Sequence, residues 1–150
     1  MKTNEKRELS YFQSLLEMYI SKHHPELSSD KAFVGSRADE ALSVYVNAIT
    51  VGFSSVEAEE AANEVLYNGL HFSKYDTIVE VLWNEFAENI PQSLAERLAA
   101  ILLGNTAIQK TFAKYKLDDD FDGKPEYDEL YTELIGCIQI IIEKNELPVF

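Results

Sequence analysis

The chain is poor in the residues that most often announce a mechanism. It has a single cysteine, Cys137, so no disulfide can form within it. That cysteine lies in the apolar run from Leu134 to Ile142, where a buried, unreactive thiol is expected. The 6 glycines never fall in the spacing of a phosphate-cradling loop, and no Gly-x-Ser-x-Gly turn presents a serine nucleophile. The 3 histidines are His23, His24 and His71, and the pattern sets no cysteine to meet any of them. These absences speak against an ordinary hydrolase or a nucleotide-binding enzyme. No window approaches the roughly 20 apolar residues of a membrane span. The charged stretch from Met1 to Leu9 lacks the apolar centre of a secretion signal, so a cytoplasmic protein away from the membrane is expected. Basic residues are scarce as well: 13 Lys and Arg stand against 26 Asp and Glu, a formal net charge of −13. Such a chain repels phosphate backbones, which argues against direct nucleic-acid binding. The charge then serves solubility, or forms an acidic face that docks on a basic protein partner.

What is present is helical periodicity. A chain of 150 residues, 46% of them hydrophobic, can bury a core without disulfides or a metal, and a single domain over 1–150 is expected. Leu9, Phe12, Leu16, Tyr19 and Ile20 recur at three- and four-residue spacing, and Pro25 ends that helix near His23 and His24. A second helix opens at Ser29 or Asp30 and buries Val34, Ala38, Ala41, Leu42, Tyr45, Ala48 and Ile49, with Gly52 at its end. Ser54 and Glu57 have capping-box spacing at the head of a third helix, whose stripe Ala58, Ala61, Ala62, Val65, Leu66 is mostly small; Gly69 ends it. Ser73 and Asp76 repeat that spacing before Tyr75, Ile78, Val79, Leu82 and Phe86. Pro91 sits at the first position of a fifth helix lined by Leu94, Leu98, Ile101 and Leu102. A short sixth helix carries Ile108, Phe112 and Tyr115. An acidic loop from Asp118 to Lys124 leads into a last helix from Pro125, with Tyr127, Leu130, Tyr131, Leu134, Ile138, Ile141 and Ile142. Val149 and Phe150 are expected to fold back or fray. Nowhere is there a sustained two-residue alternation, so the fold class is all-α, with about six to seven helices.

Three stretches carry a resemblance. They are His24-Pro25-Glu26-Leu27; Gly69 to Tyr75 continuing to Leu82-Trp83-Asn84-Glu85-Phe86; and Pro125-Glu126-Tyr127 continuing to Leu130-Tyr131-Thr132-Glu133-Leu134. Arg37-Ala38-Asp39 and Asp119-Asp120-Phe121 add to it. On these residues the chain resembles the bacterial family catalogued as domain of unknown function eighteen ninety-six. The resemblance implies a multihelical protein of anaerobic gut and oral bacteria, often encoded among the genes of conjugative elements, and it implies no activity, cofactor or catalytic residue.

Candidate sites follow from residue chemistry. His23 and His24 are neighbours about 100° apart on a helix, ill-placed to share an ion, and a structural role at the helix C-terminus is favoured. His71, Lys74, Asp76 and Glu85 could form an acid–base cluster, though a histidine where two helices meet more often caps a carbonyl or fills the corner. Trp83 lies beside the Val79–Leu82–Phe86 stripe and reads as a core anchor, with a binding hot spot as the other reading. A protein-binding surface would draw on His71, Lys74 and Trp83, and on the acidic face of Asp118, Asp119, Asp120, Asp122, Asp128 and Glu129. A bolder variant is DNA mimicry, with carboxylates standing for phosphates. Asp118, Asp120, Asp122, Gly123 and Glu129 also occupy positions 1, 3, 5, 6 and 12 of an EF-hand-like loop, the spacing that converges carboxylates on Ca²⁺. Pro125 at position 8 cannot donate the backbone bridge of a paired loop, so a solvated loop before the last helix is favoured. A non-enzymatic protein-binding domain without a cofactor is the leading expectation. A calcium-binding protein comes second, and an enzyme using His71 and nearby carboxylates third.

Overall fold

The computed structural model describes residues 2–147; Val149 and Phe150 lie outside them. Within that range the chain is all-α, with seven α-helices, two short 3-10 turns and no strand. The helices are α1 (Lys2–His23), α2 (Lys31–Thr50), α3 (Ser55–Leu66), α4 (Lys74–Glu85), α5 (Gln92–Leu102), α6 (Thr106–Ala113) and α7 (Glu126–Glu143). The 3-10 turns are Pro25–Leu27 and Phe121–Gly123.

The helix starts follow the capping chemistry. Asp30 accepts from the Phe33 N–H at 3.0 Å, and Ser54 with Glu57 closes a full capping box. Ser73 accepts from the Asp76 N–H at 2.9 Å, and Asn105 takes the N–H groups of Ala107 and Ile108. Each satisfies donors that the first turn leaves open. Pro91 and Pro125 stand one position earlier than expected, as the cap residues of α5 and α7. Gly52 and Gly69 follow α2 and α3 with φ of 104° and 80°, a left-handed backbone that glycine alone adopts freely.

The chain forms two compact units, one ending at Leu70 and one beginning at His71. In the first, Phe12, Leu16 and Ile20 of α1 pack with Val34, Ala38 and Ala41 of α2 and with Ala62 and Leu66 of α3. Ala38, Ala41, Ala58 and Ala62 are wholly buried, so α2 and α3 approach closely through alanines. In the second, α4, α5, α6 and α7 enclose Ile78, Leu82, Leu98, Ile108, Phe112, Leu130, Leu134 and Ile138. Two residues assigned inward, Ile49 and Ile101, are exposed. Each sits at the edge of its stripe in the last turn of its helix, where the apolar face has run past its neighbour. Cys137 is half-buried, not buried, with the Thr111 hydroxyl 3.9 Å from its sulfur.

Candidate functional site

The distinctive residues of the sequence prove to be anchors. In the first unit, Arg37 reaches from α2 to the end of α3. Its Nη1 donates to the carbonyls of Val65, Leu66 and Asn68 at 3.2, 3.3 and 2.6 Å, and its guanidinium lies over the Phe33 ring. These carbonyls lie in and just past the last turn of α3, where a cation is favoured at the pole of the helix. The buried His24 bonds through Nε2 to the Leu70 carbonyl at 2.8 Å, and Tyr19 donates to the same oxygen at 2.9 Å. A carbonyl only accepts, so the His24 Nε2 carries the hydrogen. The His23 ring lies tilted against Tyr19 with ring centroids 4.7 Å apart. Both histidines therefore serve the fold, and a carbonyl-capping role of the kind expected of His71 is filled by His24.

In the second unit the His71 imidazole is exposed, and the His71 N–H donates to the Asp119 carboxylate at 3.1 Å. Phe121, next to the acidic residues, is drawn into the core. Its ring centroid lies 5.2 Å from Phe72, 5.8 Å from Tyr115 and 6.3 Å from Tyr127. The inward pull on Phe121 winds Phe121–Gly123 into its 3-10 turn. Lys124 then turns back, its Nζ 2.9 Å from both oxygens of Asp118 and 3.5 Å from Asp120. Its hydrogen bond to Asp118 raises the Lys124 pKa and lowers that of Asp118. A row of tyrosine–glutamate pairs flanks α7. Tyr127 donates to Glu80, Tyr131 to Glu85, and Tyr115 to Glu133 at 2.7 Å. The Glu133 contact pushes the Tyr115 pKa up to about 12, and burial, then Glu80, raises that of Tyr127.

The acid–base cluster that His71, Lys74, Asp76 and Glu85 could have formed, the least favoured reading, does not assemble around His71. Lys74 lies over the Phe112 ring of α6, and Glu85 accepts from Tyr131 of α7. Trp83, expected in the core, is 42% exposed, and its indole N–H donates to the Gln92 carbonyl at 3.4 Å. Its position one residue past the Val79–Leu82 stripe turns the ring out to solvent. The EF-hand-like residues Asp118, Asp120, Asp122 and Glu129 do not converge. Among the described residues, no group of three or more His, Cys, Asp or Glu stands together in a way that could hold a metal ion. The Lys124 ammonium already sits on the first two carboxylates. Titrating calcium to about millimolar into metal-free protein is expected to release no heat; heat that vanishes in Glu129→Gln would establish a calcium site instead.

A pocket of about 250 Å³ is lined by Lys114, Tyr115, Lys116, Phe121, Lys124 and Glu126. It is smaller than the usual ligand cavity of about 300–1,000 Å³, and Lys114 and Lys124 are already paired with Glu133 and Asp118. Among the described residues, no helix is long and apolar enough to cross a membrane. Two features escaped sequence reasoning. One is the Arg37 clamp, which depends on a partner helix. The other is a set of exposed apolar side chains around Gly52, which were visible as Val51 and Phe53 standing where a turn is normally polar.

A family model described as Domain of unknown function (DUF1896) matches residues 4–147. No curated protein matches. Among solved structures, the crystal structure of protein PG0816 from Porphyromonas gingivalis is 55% identical to this chain. The match covers 99% of each chain at a TM-score of 0.95.

Proposed function

The chain belongs to the DUF1896 family, a domain of unknown function, and we propose that it acts in the cytoplasm as a non-enzymatic protein-binding domain with a basic partner. One observation supports this above the others. The side chains with chemical potential, among them His24, Arg37, Glu85, Asp119 and Glu133, are bonded to neighbours that hold the fold. Asp122, Asp128 and Glu129, by contrast, stand exposed around the start of α7. Of the six carboxylates of the expected acidic face, Asp119 holds the His71 N–H, and Asp118 and Asp120 lie beside Lys124. The docking role therefore passes to Asp122, Asp128 and Glu129. Trp83 adds an exposed aromatic of the type enriched in binding hot spots. We further propose conjugative elements, which the family resemblance implies, as the setting in which to seek the partner.

Screening sets the test. Exposed charges act over about 8 Å at physiological ionic strength and about 3 Å at 1 M. Proteins captured on the immobilised chain from a native lysate are expected to be basic and to elute as salt rises between those limits. Retention that ignores salt would contradict the proposal, as would a shifted band when the chain is mixed with duplex DNA at low salt.

A further inference from the structure

The turn between α2 and α3 carries four large apolar side chains within eight residues, all open to solvent: Ile49 at 41% exposure, Val51 at 72%, Phe53 at 52% and Val56 at 64%. They cannot be scattered across the surface. Ile49 lies in the last turn of α2, Val56 in the first turn of α3, and Val51 and Phe53 flank Gly52 between them. The turn is also well built. Ser54 and Glu57 close the capping box, the Val51 N–H reaches the Asn47 carbonyl, and the Phe53 N–H reaches the Ala48 carbonyl at 3.0 Å. A fixed backbone thus presents an apolar tip, and contiguous apolar surface of this kind marks an interaction site on a folded domain.

The charge around the tip selects its occupant. The first turns of α3, next to the tip, carry Glu57, Glu59 and Glu60, and from Ala38 to Ser73 the sequence has no lysine or arginine. The clamp residue Arg37 is turned to the opposite end of α3, at Val65, Leu66 and Asn68. α1 reaches the tip end through Tyr11, which donates to Glu59, and Arg7 stands one turn further along α1. Among the residues whose side chains are described, three glutamates stand against Arg7 at this end of the hairpin, which leaves it net negative. A second copy would bring like charges together, and an anionic membrane or a nucleic acid would meet three glutamates against Arg7. A basic amphipathic helix satisfies both features, its apolar stripe covering Val51, Phe53 and Val56 while its lysines meet the α3 glutamates.

We propose that the α2–α3 tip is a docking site for a basic amphipathic helical segment of a partner protein. This rests on the protein-binding reading above but uses a different surface. The test titrates a synthetic helical peptide, leucines at i, i+3, i+4 and i+7 and lysines elsewhere, into the full chain. Affinity is read by calorimetry and location by amide chemical shifts. Saturable binding with shifts confined to about 47–60 is expected. The double variant Phe53→Ser, Val56→Ser, which removes apolar surface without changing charge, should weaken binding at least tenfold. Its circular dichroism should match the parent, because both side chains are exposed; Val51→Ser repeats the test should that variant misfold. Equal affinity for parent and serine variants overturns the proposal. So does tip-dependent binding to phosphatidylglycerol vesicles, or tip-dependent dimerisation in sedimentation runs without peptide. Charge reversal at Asp122, Asp128 and Glu129 should leave tip binding intact, which separates failure of this site from failure of the α7 surface.

Discussion

Replacing Phe121 with alanine is expected to lower the stability of the second unit by about 3–5 kcal/mol, the range for deleting a fully buried aromatic ring. Phe121 is 2% exposed and meets Phe72, Tyr115 and Tyr127 edge to face. Its loss removes burial, leaves a void and frees the 3-10 turn that seats Lys124 on Asp118. Trp83 is the chain's single tryptophan and lies in the same unit, so its fluorescence during urea unfolding reports the change directly. A midpoint within experimental error of the parent would show that the acidic loop is not anchored through its aromatic residue. Phe121→Leu should recover part of the loss, since the volume is largely kept.

Substituting Arg37 with methionine should cost about 2 kcal/mol, because hydrogen bonds to a charged group contribute about 1.5–3 kcal/mol. Methionine keeps an unbranched apolar side chain and removes the guanidinium, so the effect combines the clamp on Val65, Leu66 and Asn68 with the smaller contribution of the cation over Phe33. Hydrogen exchange is the suitable probe. Amides in the last turn of α3 and from Tyr67 to Leu70 should lose protection more than those of α1. Uniform loss across the first unit, or none, would contradict a local clamp. Arg37→Lys should fall between the two, since an ammonium keeps the charge at the helix pole but cannot span the same carbonyls.

The all-α architecture was readable because helix starts are local chemistry. Asp30, Ser54 and Ser73 each bind an N–H three residues on, and three-residue spacing is visible in a linear string. The stripes were readable for the same reason, apart from Ile49 and Ile101 at their edges. What the string hides is the partner across a tertiary contact. That Arg37 belongs to the end of α3, Asp119 to the His71 N–H and His24 to the Leu70 carbonyl depends on separations of 28 to 48 residues. The calcium reading illustrates the difference. Carboxylates at positions 1, 3, 5 and 12 describe a loop only if the backbone between them is free to wrap an ion. Phe121 at position 4 takes that freedom away by entering the core, and Lys124 supplies the cation from within. Trp83 shows the limit of pattern at finer scale. One position along a helix is about 100°, enough to turn a ring from the Val79–Leu82 face to solvent. His24, Glu85 and Asp119, which looked functional because they are chemically rich, are bonded to neighbours within the fold. The surfaces left for a partner are plainer: three carboxylates at α7 and an apolar tip at Gly52.

Affinity capture from cells of the source organism, run in parallel with the parent chain and with the Asp122→Lys, Asp128→Lys, Glu129→Lys variant, tests the protein-binding reading most directly. All three positions are exposed, but Asp128 and Glu129 lie in the first turn of α7, where lysine is disfavoured, so the variant should unfold at a somewhat lower urea concentration than the parent while remaining folded in buffer. Quantitative mass spectrometry is expected to find at least one basic protein enriched on the parent and depleted about tenfold or more on the variant, with association slowed more than dissociation is quickened when that protein is purified. The same proteins retained equally on both chains would contradict binding through the acidic surface.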